Sequence, residues 1–403
     1  MIKNSFVIFL LFSFFFVDGQ NSKEVSFLFM GDIMGHGPQI RSAWQEKTKE
    51  YDYSEVFKPL KELISSVDFA VGNLEVTLAG PPYDGYPQFS SPDNLAVACK
   101  ENGIDVLVTA NNHSCDRGSK GVIKTVKTLD ELSILHTGTF SNDKQRDSLN
   151  LLILSKNNIK VGLLNYTYGT NGMPFASPAY VNLLDSALVK KDVLSAKKKD
   201  IDKLIVFVHW GAEYKDFPNN YQKTYNKFFQ ELGVDVVIGS HPHVIQPMIY
   251  QSDSLNNEFL TVYSLGNFVS NQRERRKDGG TMVRLLFTKT QNQTKISNKE
   301  YILTWVHKFI NQGKNHYQII PCTHPKYSKS YFTNVSDFEK MDLFVKDSRK
   351  HLNQNNMDVK EGSPHPRIRV EPHPPEKIKL KIKKRKVMLL NREKTKRRKI
   401  KRH

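Results

Sequence analysis

Alternating strand-like and helix-like segments along the 403-residue chain predict an α/β fold with a largely parallel sheet and added antiparallel strands. Two observations carry this prediction. Short apolar and β-branched runs recur over residues 24–264, and amphipathic segments separate most of them. Beyond residue 280, apolar runs follow one another with no helix between them, which favours antiparallel strands. A chain of this length can form one large domain or two ordinary ones.

In the first half of the chain, each predicted strand is an apolar run, and two of the helices begin at a residue suited to a helix start. Ser54 can cap the first helix, and Pro92 opens the second. The strands are expected at residues 24–31, 68–73, 106–109 and 134–137. The helices are expected at residues 54–64, 92–101 and 118–132.

In the second half, Asn157 and Asn158 lie between two apolar runs and predict a hairpin over residues 151–165. The strand and helix alternation then resumes and ends in apolar runs that read as antiparallel strands. Further strands are expected at residues 203–208, 235–239, 259–264, 282–287 and 301–306. Further helices are expected at residues 184–199, 219–232 and 336–352.

The N-terminus has the pattern of a signal peptide over residues 1–20. Lys3 gives the positive start, and residues 6–17 are an unbroken run of apolar residues and serine. Because this run of about 12 residues is short for a membrane span, we expect an exported protein of the periplasm or cell surface. The alternative is an uncleaved N-terminal membrane anchor.

The folded domain is expected over residues 24–310, with a C-terminal extension at 311–352 that packs on it. Residues 353–403 read as a Pro-rich linker and a basic, disordered tail. Residues 377–403 carry +14 of the formal +18, so the remaining chain is near neutral. Such a tail is a solvated segment or a contact for anionic polymer or a membrane surface. Nucleic acid is not expected as a partner, because no recognition motif or aromatic interleaving accompanies the charge.

Polar side chains occur where several predicted strands end, and the carboxyl ends of parallel strands are where α/β sheets bind ligands. These residues are Asp32, Glu75, Asn112, His113, His209, His241 and His243. Imidazole and carboxylate groups together suit the divalent metals used in hydrolysis. Two such metals could bind a phosphoryl group and activate a water, and a histidine not bound to metal could protonate the leaving group.

Four other residues are candidates for the lining of the cleft, where they would contact substrate. They are His36, Trp210, Glu213 and Asn267. Core packing explains Trp210 about as well as substrate contact does. A role in a turn explains Asn267 equally well.

Six stretches in this order carry a family resemblance: GDIMGH, NLEVTL, ANNHSCDRG, HWGAEY, GSHPHVIQP and YSLGNF. As a set they resemble the CapA family of poly-γ-glutamate capsule synthesis proteins, whose domain is similar to metallophosphoesterases. The resemblance covers about residues 25–288. It implies a layered αββα metallophosphatase-like sandwich and one or two divalent metal ions, with manganese, zinc or iron as candidates.

The resemblance also implies roles for individual residues. The implied metal ligands are Asp32, Asn112, His209, His241 and His243, and Glu75 joins them as a candidate ligand because of its place after a predicted strand. Asn112 and His113 match an Asn-His pair of the superfamily, and His113 is implied to be the general acid. Met34 stands where the first superfamily motif has a histidine, and Asn73-Leu74-Glu75 replaces a double-Asp motif, so one metal or none is an alternative to two.

These observations predict an exported protein of capsule or poly-γ-glutamate biosynthesis. It would be a metal-dependent hydrolase or transferase acting on an anionic cell-surface polymer or a phosphoester. The alternative is a non-catalytic protein of the same export pathway that holds an anionic polymer in the same cleft. Metal content, and loss of activity on chelation, would separate the two functions.

Overall fold

The structure is a computed structural model that describes residues 22–255, 257–291 and 293–366. Statements below about strands, helices and contacts refer to these residues. The predicted signal peptide at 1–20 and the predicted basic tail at 377–403 lie outside them.

The strands and helices alternate through most of the described chain. The strands are β1 (Lys23–Ile33), β2 (Trp44–Gln45), β3 (Glu50–Tyr51), β4 (Phe69–Leu74), β5 (Val106–Val108), β6 (Leu135–Thr137), β7 (Thr139–Phe140), β8 (Leu152–Lys156), β9 (Ile159–Thr167), β10 (Tyr180–Val181), β11 (Lys203–His209), β12 (Val236–Ser240), β13 (Met248–Ser252), β14 (Glu258–Val262), β15 (Asn267–Val269), β16 (Gly279–Lys289), β17 (Thr294–Asn311), β18 (Lys314–Pro321) and β19 (Lys360–Glu361). The α-helices are α1 (Gly37–Ala43), α2 (Ser54–Phe57), α3 (Lys61–Ile64), α4 (Asn94–Glu101), α5 (Gly118–Glu131), α6 (Asp143–Leu149), α7 (Ser186–Ala196), α8 (Asn220–Glu231) and α9 (Val335–Asn355).

Two large sheets form the centre of the fold, and each combines parallel strands with antiparallel strands at one or both edges. The first has the order β18-β17-β16-β1-β4-β5-β6, with β15 also paired to β1 and β19 to β17. Strands β1, β4, β5 and β6 are parallel, and β16, β17 and β18 extend the sheet in antiparallel fashion. The second has the order β13-β14-β12-β11-β9-β8, with β14, β12, β11 and β9 parallel. The fold is therefore mixed α/β, as the alternating pattern predicts.

Alternation along the central strands shows how the layers stack. In β1, Phe27 and Phe29 belong to the cluster between the two sheets, and their neighbours Leu28 and Met30 belong to the cluster under the helices. The central strand of the second sheet, β11, sends its alternate residues to the same inter-sheet cluster and to an outer cluster shared with α7 and α8. Because successive strand residues face opposite sides, this pattern gives a helix–sheet–sheet–helix sandwich with three apolar layers of contact. The αββα layering implied by the family resemblance is confirmed.

Several local elements differ from the sequence prediction. The helix expected over 54–64 is divided by a 3-10 turn at Lys58–Leu60, since Pro59 has no N–H for the helical hydrogen bond. The strands β13 and β18 and the helices α1 and α6 are found where no element was expected. The hairpin at β8–β9 is found as predicted, with Asn157 and Asn158 at φ angles of 50° and 59°.

The chain after α9 stays on the domain as far as the structure describes it. Helix α9 continues to Asn355, and β19 pairs with β17 in parallel. The guanidinium of Arg284 donates hydrogen bonds to the carbonyl oxygens of Ser363 and His365. Residues 353–366, which the composition assigned to a linker, are therefore packed against the first sheet, and the rest of that predicted linker lies outside the described residues.

The registers of the two sheets bring the polar strand ends together. In the first sheet Asp32 pairs with Asn73 on one side and with Asn267 on the other. In the second sheet His209 pairs with Ser240, just before the turn that carries His241. Both groups lie at the carboxyl ends of parallel strands, which is where the sequence places the site.

Candidate metal centre

Two groups of buried side chains meet at Glu75. One contains Glu75, His209 and His241, and the other contains Asp32, Glu75 and His243; within each, one ligand atom per residue lies within 4.8 Å of the others. All five side chains are buried. A carboxylate shared between two three-residue groups is the arrangement expected of a two-metal site.

Glu75 is the most unusual of these residues, because it is fully buried and neither of its carboxyl oxygens has a hydrogen-bond donor among the described residues. Burial, followed by the negative charge of Asp32, raises the pKa of Glu75 well above its ordinary value. An isolated buried carboxylate costs several kcal/mol, roughly, unless a cation compensates it. A bound divalent metal would compensate both carboxylates at once.

The ring of His209 is held in one orientation by contacts on both nitrogens. Its Nδ1 lies 2.9 Å from the Ser240 hydroxyl, and its Nε2 lies 2.8 Å from the Asn112 amide oxygen and 3.5 Å from Glu75 Oε1. Burial, then the neighbouring histidines, lowers the pKa of His209 well below its ordinary value. The imidazole is therefore neutral, which is the state that binds a metal.

The turn that carries His241 and His243 has a strained backbone. Their φ angles are 98° and 58°, in the left-handed region that residues other than glycine rarely adopt. The Nδ1 atom of His243 lies 3.1 Å from Asp32 Oδ2 and 3.1 Å from the Asn267 amide oxygen. Strain of this kind persists where the surroundings fix the conformation, and it is commonest at functional sites.

His241, like Glu75, has a buried polar atom that lacks a hydrogen-bond partner. Its Nδ1 is buried with no hydrogen-bond partner among the described residues, and burial followed by the His243 ring lowers its pKa to about 3. Imidazole nitrogen and carboxylate oxygen are the donors preferred by zinc, manganese and iron. The donor set, its burial and the unpartnered atoms therefore fit a divalent metal.

Asn73 and Asn111 connect the ligands into one network, although sequence reasoning gave neither a role in the site. The Asn73 amide donates to Asp32 Oδ1 at 2.8 Å and lies 3.3 Å from His209 Nδ1. Asn111 donates to the Asn73 side chain and accepts from the backbone N–H of His113. The sequence signal that could have identified both residues is their position within the stretches NLEVTL and ANNHSCDRG.

His113 is paired with a carboxylate that sequence reasoning missed. Its Nδ1 lies 2.8 Å from Asp116 Oδ2, and the edge of the Phe89 ring packs against its ring with centroids 4.6 Å apart. Asp116 also accepts from the Phe89 backbone N–H at 2.7 Å. The spacing of three residues between His113 and Asp116 was the signal, since one turn of chain brings such residues together.

The four residues expected to line the cleft have different surroundings. Asn267 is buried and orients His243, and His36 is largely buried against Phe89, with burial lowering its pKa to about 4. Glu213 is exposed. The pKa of Tyr168 is raised to about 12, first by burial of Tyr168 and next by the negative charge of Glu213, so Glu213 lies near Tyr168 at the rim. Trp210 is fully buried in the outer core of the second sheet, where its Nε1 donates to the Tyr263 carbonyl. The structure therefore places Trp210 in the core rather than in the cleft.

Two tyrosines that the sequence did not single out stand beside the ligands. The Tyr168 ring lies 4.6 Å from the His241 ring, and the Tyr214 ring lies 6.0 Å from the His243 ring. Both are partly exposed, at 38% and 42%. They form aromatic walls between the buried ligands and solvent.

Comparison with solved structures finds low-identity neighbours. One is the NAD nucleotidase NadN of Haemophilus influenzae, with 12% identity and a TM-score of 0.47 over 85% of this chain and 65% of that one. Another is the calcineurin-like phosphoesterase YfkN of Bacillus subtilis, with 11% identity and a TM-score of 0.41 over 82% of this chain and 99% of that one.

Comparison of sequences gives closer relatives. The chain is 28% identical over 278 residues to the capsule biosynthesis protein CapA of Bacillus anthracis, covering 66% of this chain and 65% of that protein. It is 27% identical over 257 residues to the PGA biosynthesis protein CapA of Bacillus subtilis (strain 168), covering 60% of this chain and 63% of that protein. The match thus spans less than two thirds of either relative.

The profile of a family described as bacterial capsule synthesis protein PGA_cap matches residues 26–272. That range is more than half of the chain and contains every residue of the two ligand groups. The resemblance predicted from the six sequence stretches is thereby confirmed, and the chain belongs to the PGA_cap family of bacterial capsule synthesis proteins.

Proposed function

We propose that this protein is a divalent-metal-dependent hydrolase or transferase that acts on an anionic polymer during capsule synthesis. The observation that carries the proposal is Glu75, a buried carboxylate without a hydrogen-bond donor that two groups of histidine and carboxylate ligands share. A protein that only held a polymer would gain nothing from ligand atoms buried beneath the cleft surface. The names of the relatives, which refer to capsule and PGA biosynthesis, supply the class of substrate.

The ligands divide into two sets in this proposal. Asp32, Glu75 and His243 would hold one ion, and Glu75, His209 and His241 would hold the other, with Asn112 beside His209. When bound, such ions supply Lewis acidity and lower the pKa of water, which gives a nucleophile at neutral pH. The protein fixes the ligand atoms in advance through Ser240, Asn73 and Asn267, so little rearrangement is needed on binding.

His113 has the geometry of a proton donor in this reaction. Asp116 accepts from the Nδ1–H of His113, so the proton that His113 can transfer lies on Nε2. The Asp116 carboxylate also stabilises the protonated ring. His113 would deliver the Nε2 proton to the leaving group and would be reprotonated after product release.

Export to the periplasm or cell surface is part of the proposal and rests on the N-terminal sequence pattern. Within the described part of the chain, no helix combines the length and apolar character needed to cross a membrane. A capsule polymer lies outside the cell, so an exported protein would meet it. The basic tail would then be a contact for anionic polymer or lipid surface.

The test is a metal and activity analysis of the purified full-length protein. After incubation with manganese or zinc, the protein should retain bound ions on gel filtration. It should cleave a phosphoester or a γ-glutamyl polymer, and a chelator should abolish this activity. A metal-free protein that is inactive in both assays but binds the polymer would contradict the proposal and favour the non-catalytic alternative.

A further inference from the structure

Three neighbouring cationic side chains have no acidic partner at ion-pair distance among the described residues. We call Arg41, Arg273 and Lys308 the basic cluster. Arg41 belongs to α1, Arg273 follows β15, and Lys308 belongs to β17. Most other buried or half-buried cations described here are paired, for example Lys203 with Asp235. Unpaired cations that face one another repel, so the cluster is a place where an anion would bind favourably.

The basic cluster is connected to the metal centre through Asn271. Its amide oxygen accepts hydrogen bonds from Lys308 Nζ at 3.1 Å and from the Tyr317 hydroxyl at 2.6 Å. Its backbone N–H donates to Nδ1 of His36 at 3.3 Å. The His36 ring in turn packs on Phe89, which packs on the proposed proton donor His113. The contacts therefore lead from Lys308 through Asn271, His36 and Phe89 to His113.

The hydrogen-bonding capacity of these cations is largely unused. One terminal nitrogen of Arg273 is buried without a partner, and the guanidinium lies over the Trp305 ring at 5.5 Å. Lys308 donates one hydrogen bond out of the three that an ammonium can make. A guanidinium fork beside a lysine is the donor set that recognises carboxylates and phosphates.

The acidic groups near Arg273 are Asp278 and Asp337, and each also contacts another residue, although one oxygen of Asp278 has no partner among the described residues. Asp278 accepts from Nε1 of Trp305 at 2.7 Å, and Asp337 contacts His307 at 3.4 Å and Lys340 at 3.3 Å. Burial, followed by the charges of Arg273 and Arg41, lowers the pKa of Lys308. Among the described residues, neither carboxylate lies within ion-pair distance of a member of the basic cluster, although the charges of both act on Arg273.

We propose that the basic cluster is a subsite that binds a second anionic group of the substrate while the reacting group occupies the metal centre. The substrate would then carry at least two anionic groups, carboxylates or phosphates, as a polymer with a charge on each repeat does. This inference rests on the proposed function for the position of the reacting group. Lys308, on β17, lies beyond the family match at residues 26–272, and Arg273 directly follows the end of that match.

The test compares short anions that differ in charge. Binding of tri-γ-glutamate and of tripolyphosphate would be measured by calorimetry on the full-length, manganese-treated protein, with acetate and inorganic phosphate as single-group probes. The variants are Arg273→Gln, Lys308→Met and the exposed Arg41→Gln, and Lys223→Gln on the distant helix α8 is a control with the same change in charge. Thermal melting and metal content would confirm that each variant retains its fold and its metal centre.

We expect Arg273→Gln and Lys308→Met each to weaken binding of tri-γ-glutamate or of tripolyphosphate about tenfold, the usual scale for a charged hydrogen bond. Binding of the matching single-group probe should change less than about twofold. Loss confined to tri-γ-glutamate would identify a carboxylate subsite, and loss confined to tripolyphosphate a phosphate subsite. If the cluster variants bind tri-γ-glutamate and tripolyphosphate with the same affinity as Lys223→Gln does, the subsite is refuted. This readout is binding rather than turnover, so it separates failure of the subsite from failure of the proposed catalysis.

Discussion

The Nδ1 atom of His113 lies 2.8 Å from Oδ2 of Asp116, and both side chains are almost completely buried. The same carboxylate oxygen also accepts from the backbone N–H of Phe89. The backbone of Phe89 thus holds Asp116 in place, and Asp116 in turn holds the ring of His113. The contact with Asp116 determines the tautomer of His113 and the direction of its ring.

Asp116→Asn should reduce turnover about 100-fold while metal content stays unchanged, because the amide no longer selects one tautomer or stabilises the protonated His113. The measurement is kcat beside metal analysis of the same sample. Asp130→Asn is the matched control, because it removes a second Asp–His contact, at 3.1 Å from His136. Equal activity of the two variants would contradict the role given to Asp116.

Metal binding near pH 5 should release a proton from Glu75. An ordinary histidine, with a pKa of about 6.5, would be protonated at this pH and would release its proton to the metal. Here burial keeps His241 neutral down to about pH 3, and His209 is shifted in the same direction. The raised pKa of Glu75 makes it the group that holds a proton.

Proton release is measured by calorimetric titration of manganese in buffers of different ionisation enthalpy. Glu75→Gln should weaken binding and lower the proton release by about one. A proton release that is unchanged in Glu75→Gln would assign the titration to other groups and contradict this account.

The metal-free protein should lose stability as the pH falls below about 6.5. His209, His241 and His36 have folded-state pKa values below their unfolded value, so the unfolded chain binds more protons and acid favours unfolding. Glu75 acts in the opposite direction with one proton, since its folded-state pKa is raised. Denaturant midpoints between pH 7 and pH 4.5 measure the balance, and a midpoint that rises on acidification would contradict it.

Gly31→Ala should destabilise the protein by about 2 kcal/mol or more and displace Asp32. A Cβ atom on Gly31 would lie 1.9 Å from the Gly266 carbonyl oxygen, so one of the two backbones has to move. Gly169→Ala is the control, because a Cβ there meets no atom within 4 Å. Urea unfolding of both variants is the measurement, and equal midpoints would contradict the close approach of these segments.

Polar residues that interrupt an otherwise apolar strand pattern are the signal by which the sequence located the candidate site. Asp32, His209 and His241 all stand at the end of a buried run, and the structure brings them to one place. Asp116 and Asn73 were missed because each looks like an ordinary turn or strand residue until its partner is known. Trp210 follows His209 directly, and strand alternation sends it to the opposite face, into the outer core.

Strand pairing is the part of the fold that the residues alone left open. The sequence indicated which strands are parallel and which are antiparallel, but periodicity does not show which apolar segments share a sheet. The division into two stacked sheets came from the family resemblance. Strand β18, at the edge of the first sheet, was overlooked because its apolar residues are mixed with polar ones, as at Lys314 and Asn315.

The central claim is that this chain holds catalytic metals beside a separate proton donor, and His113→Ala compared with His241→Ala tests it most directly. Metal analysis by mass spectrometry would accompany phosphoesterase and γ-glutamyl polymer assays on both variants. We predict that His113→Ala keeps its metal and loses activity about 100-fold or more, whereas His241→Ala loses both metal and activity. A wild-type protein that binds no manganese or zinc, or a His241→Ala variant that retains full metal content and activity, would contradict the claim.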